Sequence, residues 1–211
     1  MQMNPEHTSE KQDTTQRYEV LMELGDCNAS VGRYEQARQY YERAADLEPD
    51  AAGPYVGLGV VALQSDMTED ADAAFRVALR LDPGQSRAYA GLAMIRQKTG
   101  EYTAAFEMYL KCLERNTDNL TALLGLFQVS CQMGSFEKII HYLRVYLNQH
   151  PGDVSVMFSL GALYMKDANY TGAKDILLNV LALDPDNKEA ANLLEEAEHG
   201  LARTGSGAIA V

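Results

Sequence analysis

No stretch of the 211-residue chain approaches 18 consecutive apolar residues, so the sequence offers no membrane-spanning helix. Basic residues are scarce as well: 18 Lys and Arg stand against 30 Asp and Glu, a formal charge of −12. Such a chain has no basic face to offset nucleic-acid phosphates, and anionic lipid repels it. Neither a nucleic-acid partner nor direct membrane insertion is expected. Cysteine is sparse too, and Cys27, Cys112 and Cys131 make neither an even secreted framework nor a Cys-x-x-Cys pair. The four histidines are scattered, and no His-Glu-x-x-His, phosphate loop or Gly-x-Ser-x-Gly occurs. The chain therefore reads as a non-enzyme with no cofactor and no metal. Its opening residues are polar and carry no apolar leader, so a cytoplasmic location is expected.

What the chain does have is a period. Leu24, Leu58, Leu92, Leu126 and Leu160 are each 34 residues apart. Pro49, Pro83, Pro151 and Pro185 keep the same period, with Thr117 filling the gap. Two columns of small residues accompany them: Gly25, Gly59, Ala93, Phe127, Gly161, and Ala37, Ala71, Ala105, Ile139, Ala173. Self-similarity at this spacing marks a solenoid whose units bury their apolar faces only against neighbours.

Within each unit, apolar residues recur at helical intervals in two runs, as in Tyr55, Leu58, Ala62 and then Ala71, Phe75, Ala78. Breaks fall between the runs at Val31-Gly32-Arg33, Ser65-Asp66-Met67, Lys98-Thr99-Gly100 and Met133-Gly134-Ser135, where glycine can end a helix left-handed. Proline after the second run blocks its continuation. The expected fold is all-α: a right-handed superhelical solenoid of five helix-turn-helix repeats. Cys112 falls in the column of Ala44 and Ala78, which makes it a small core residue.

Aligned on these columns, each unit resembles a tetratricopeptide repeat: an apolar residue, Leu-Gly, an aromatic, Ala, an aromatic, Ala and a closing Asp-Pro. The first unit supplies Leu21, Leu24-Gly25, Tyr34, Ala37, Tyr41, Ala44 and Pro49, and the fifth Met157, Leu160-Gly161, Tyr170, Ala173, Leu177, Val180 and Pro185. The repeats are placed at 18–51, 52–85, 86–119, 120–153 and 154–187, inside a solenoid spanning 15–203. A charged capping helix is expected over 187–201, with flexible tails at 1–14 and 204–211 and with Asp13 or Thr14 capping the first helix. With both ends finished in this way, a whole protein is expected. The fourth repeat departs from the pattern at Phe127, Ile139 and Tyr146, and extra volume there is expected to make the array least regular.

The resemblance implies that the first helix of each hairpin lines an inner groove that holds a peptide. The candidate partner-binding positions are Met22, Val56, Val60, Leu63, Ala90, Met94, Leu124, Gln128, Phe158, Ala162 and Met165. Met22, Val56, Ala90, Leu124 and Phe158 form one apolar column, which either a partner covers or packing between successive first helices absorbs. Glu19 and Asp26 place negative charge at one end of the groove, with Arg87, Lys98 and Lys166 further along. The carboxylate-clamp subgroup needs Lys, Asn and Arg at positions that here hold Met22, Asp26, Gly57, Arg87 and Gly91, so that mode is disfavoured. Gly57, Gly91 and Gly125 share a column inside these helices; close helix packing is the expected cause, close passage of a ligand backbone the alternative. The expected role is an adaptor or chaperone for an apolar or amphipathic segment of a partner protein. The alternative is a scaffold that self-associates through its groove or ends.

Overall fold

The computed structural model describes residues 5–206, with side chains for 13–203. Its eleven helices are α1 (Pro5–Ser30), α2 (Tyr34–Leu47), α3 (Ala52–Gln64), α4 (Thr68–Leu81), α5 (Ser86–Lys98), α6 (Tyr102–Arg115), α7 (Leu120–Met133), α8 (Glu137–Gln149), α9 (Val154–Lys166), α10 (Tyr170–Leu183) and α11 (Lys188–Ser206). Among the described residues there is no strand. Each second helix stops two residues before its Pro or Thr, as α2 at Leu47 before Pro49 and α6 at Arg115 before Thr117. The all-α repeat architecture is therefore the one the period implies.

The ends differ from the sequence reading. Helix α1 begins at Pro5, so Asp13 and Thr14 lie inside it instead of capping it. Helix α11 continues through Thr204 to Ser206, past the expected stop at Leu201. Residues 1–4 and 207–211, parts of the expected tails, lie outside the described residues.

The turns inside the hairpins have one mechanism. Arg33 N–H donates to the Asn28 carbonyl at 2.9 Å and Gly32 N–H to Ala29 at 3.1 Å, which closes a Schellman motif around a left-handed residue. The same pair of bonds recurs at Glu101 to Arg96 and Gly100 to Gln97. Gly32 and Gly100 take φ values of 76° and 80°, at no cost without a β-carbon. Two turns manage without glycine: Asp66 at φ 63° and Ala168 at 54° hold the left-handed site despite their side chains.

The helices group into two compact units, one up to Gly125 and one from Leu126. The division falls inside α7, the first helix of the divergent fourth repeat. In the first unit α1–α2, α3–α4 and α5–α6 form hairpins, and α2 packs on α3 and α4 on α5. In the second, α9 and α10 form a hairpin, α8 packs on α9, and α11 covers α10.

Shared aromatic rings tie the first unit together. Tyr41 lies against two glycines: a β-carbon built at Gly25 or at Gly57 would stand 2.5 Å from its ring. Phe75 fills the same place between Gly59 and Gly91, and Tyr109 abuts Gly125. Tyr41, Phe75 and Tyr109 are 2%, 0% and 1% exposed. Each ring thus packs on its own hairpin and on the first helix of the next, and the glycine column exists to admit it. No ligand backbone is needed to account for those glycines.

In the second unit the core comprises Met157, Ala173, Leu177, Val180, Ala190 and Ala197. The last two come from α11, so the terminal helix does cover the hairpin that precedes it.

Candidate functional site

In the first unit, the first helices α1, α3 and α5 lie side by side. Between α3 and α5 they leave a depression of about 280 Å³. Val60, Leu63 and Gln64 line it from α3, and Arg87, Ala90 and Met94 from α5. Phe75 forms part of its floor, and Asn119 and Thr121 close one end. The depression is apolar where the helices face each other: Val60 and Leu63 on α3 and Ala90 and Met94 on α5 line it, and the Phe75 ring fills the space at Gly91.

Its polar edge is supplied separately. Arg87 is exposed, and its charge is close enough to Tyr41 to favour that phenol's ionised form. Burial outweighs this and pushes the Tyr41 phenol up, helped by its hydrogen bond to Asp26 Oδ1 at 2.6 Å. Asn119 is held as the cap of α7, its Oδ1 accepting from Ala122 N–H at 2.9 Å. An exposed guanidinium beside an apolar hollow suits a segment with a bulky apolar side chain and an acidic neighbour.

The sequence-predicted residues distribute unevenly. Val60, Leu63, Ala90, Met94 and Arg87 come together in the depression. Met22 is half-buried on α1, packed on the cluster around Tyr41. Val56 is a correction: at 2% exposure it belongs to the core that α3, α4 and α5 share around Phe75, so no partner can reach it. Ala90 is only 6% exposed and contributes floor more than surface. Leu124 is 53% exposed on α7, and Gln128 is exposed too.

Phe158, Ala162 and Met165 lie on α9 in the second unit, where Phe158 and Met165 pack partly on its core. Among the charges, Glu19 and Lys166 are exposed, but Asp26 accepts the Tyr41 hydroxyl and Lys98 pairs with Asp66. Lys98 therefore joins two repeat turns and is not a groove cation. Phe75, Gln64, Asn119 and Thr121 escaped the sequence reading. A helix-cap Asn after a proline-less linker was the one available signal.

Among the described residues no helix is long and apolar enough to cross a membrane, and no cluster of three or more His, Cys, Asp or Glu could hold a metal.

Residues 29–95 and 86–119 each match a family model described as tetratricopeptide repeat. The chain is 25% identical over 173 residues to the TPR repeat-containing protein YpiA of Bacillus subtilis (strain 168). That alignment covers 82% of this chain and 41% of YpiA, so the chain spans less than half of that relative. Among solved structures it is similar to Pseudomonas aeruginosa pilF, with a TM-score of 0.70 at 20% identity over 92% of this chain and 91% of that one. It is also similar to YrrB, described as a TPR protein with an unusual peptide-binding site, with a TM-score of 0.60 at 22% identity over 82% and 89%. At these identities the structural likeness speaks for the fold. Residues 29–119 are thus tetratricopeptide repeats, and the in-register motif on either side of them resembles the same repeat.

Proposed function

We propose that the chain is a protein-interaction adaptor that holds an apolar or amphipathic segment of a partner protein between α3 and α5. The observation that supports this is the depression bounded by Val60, Leu63 and Met94, with Phe75 beneath it and Arg87 at its edge. A buried apolar side chain there contributes on the order of 1.5–3 kcal/mol, enough to fix a segment but not to hold it alone. Neighbouring polar contacts and Arg87 would set orientation. The peptide-binding site described for YrrB supports the same reading by analogy.

The test is selection from a displayed library of random peptides on the immobilised protein. Selected sequences should share a bulky apolar residue with an acidic neighbour. They should lose binding to Met94→Asp protein whose helical melt is unchanged. Selections with no apolar residue in common, or binding indifferent to Met94→Asp, would refute the proposed segment.

A further inference from the structure

The face that α1 turns away from α2 is an apolar stripe on which no helix among the described residues packs. Val20 is 48% exposed, Leu24 39% and Val31 62%, and Cys27 is exposed as well. The spacing from 20 to 24 and 27 puts three of them on one helix face, and Val31 follows in the turn just past the end of α1. The repeat itself shows what such a face is for. The residues one period on, Pro54, Leu58 and Val61, are buried or half-buried under α2. Two periods on, Ala88, Leu92 and Ile95 are 0%, 6% and 2% exposed beneath α4. In the second unit Val156, Leu160 and Leu163 are 6%, 3% and 0% exposed beside α8. In each case a second helix lies on that face; on α1 none does among the described residues.

The face nevertheless departs from its equivalents at one point. Where Gly57 and Gly91 receive the rings of Tyr41 and Phe75, α1 carries Glu23. A β-carbon at Gly57 or Gly91 already stands 2.5 or 2.2 Å from the ring, so a glutamate there excludes an aromatic knob. Glu23 is exposed beside the stripe and Glu19 one turn earlier, while Arg17 and then Asp13, both exposed, continue the line of the stripe toward the N-terminus. Neither Glu19 nor Glu23 has an ion pair among the described residues. A second copy of this chain, at a formal charge of −12, would bring like charge to an acidic rim.

We propose that this face docks an amphipathic helix of a partner protein, apolar along one stripe and carrying Lys or Arg where a repeat helix would carry its aromatic. The site lies on a different face from the depression, and the partner's cation would lie against Glu23 and Glu19. Apolar contact with Val20, Leu24 and Val31 supplies the area, and the acidic flank selects the helix by charge.

The probe is a cross-linked, fluorescently labelled helical peptide with a leucine stripe flanked by lysines, compared with a twin whose lysines are glutamates. Anisotropy titrations should show the lysine peptide binding wild-type protein, and binding about tenfold or more weaker with Leu24→Lys or Glu23→Lys. The glutamate peptide should prefer Glu23→Lys over wild type, and Met94→Asp should leave both affinities unchanged. If Leu24→Lys lowers the melt, Val31→Lys at the most exposed position serves in its place. Equal affinity for the two peptides, or loss of binding with Met94→Asp, overturns the proposal. So does sedimentation showing a wild-type dimer that Leu24→Lys dissociates, because a second copy would then cover the stripe.

Discussion

Tyr109 donates its hydroxyl hydrogen to Gln97 Oε1 at 2.8 Å, which joins α6 to the end of α5 across the inside of the third hairpin. Burial pushes that phenol up to about 12 from an ordinary 10.0, and it pushes the nearby Cys112 thiol up to about 11 from 9.0. The Tyr41 phenol is raised in the same direction and for the same first cause. The folded chain therefore keeps protons that the unfolded chain releases. Stability is undiminished below about pH 9 and falls as pH rises through about 11 and 12. Urea midpoints taken from pH 7 to 11.5 should be flat at first and then decline. Tyr109→Phe should start lower by about 1 kcal/mol for the lost hydrogen bond, yet decline less steeply.

Gly91→Ala should destabilise although alanine is the better helix former. Its β-carbon would lie 2.2 Å from Phe75 Cζ, and a ring at 0% exposure has nowhere to withdraw. Overpacking costs about 1–3 kcal/mol, against about 1 kcal/mol gained from helix propensity. A lower thermal midpoint is expected; an unchanged or higher one would mean the ring can move aside.

Ala168→Gly should do the reverse. At φ 54° the alanine methyl group opposes a left-handed conformation that glycine adopts freely, so a gain of about 1 kcal/mol is expected in denaturant melts. Asp66→Gly relieves the same strain at φ 63° but removes the partner of Lys98, and its net effect should be smaller.

Aspartate substitutions separate surface from core. Leu92→Asp buries an unpaired charge at a position 6% exposed and should abolish cooperative melting. Met94→Asp, at the rim of the depression, should leave the melt nearly intact and weaken selected peptides by about tenfold or more. Phe158→Asp should cost stability, because that side chain is partly packed on the second unit's core. Circular-dichroism melts with a binding titration decide all three.

Removing residues 187–211 should expose Leu177 and Val180, both 0% exposed beneath α11 in the intact chain. The expected outcome is a lower midpoint and light-scattering aggregates on heating; a monodisperse sample with an unchanged midpoint would show that α11 is dispensable.

The hairpins were legible in the sequence because Leu92, Pro83 and Gly100 recur by period and act locally: one packs, one stops a helix, one turns the chain. The site was legible only in part. Val56 and Val60 look alike in the sequence, stand one turn apart on the same side of α3 and pack on one core, yet only Val60 lines the depression. Which turn of the helix reaches the surface depends on the neighbouring helices, and the period does not carry that. Lys98 was read as a groove charge because its column was known but its partner, Asp66, lies 32 residues away in another turn. The start of α1 was missed because its polar residues carry no apolar period, and polar residues can also prolong a helix already nucleated by Leu21 and Tyr18.

The shared rings carry a consequence for cooperativity. A repeat array behaves as a row of units coupled to their neighbours, and here the coupling has a physical carrier. Tyr41, Phe75 and Tyr109 each abut the next repeat's first helix at a glycine, so opening one hairpin strips a ring from the next and lowers its stability as well. In the fourth repeat the corresponding residue is Leu143 and the receiving position Ser159, with no ring and no glycine. The chain has therefore written ring-on-glycine links between its early repeats, and the fourth repeat must pass an opening on to the fifth through other contacts.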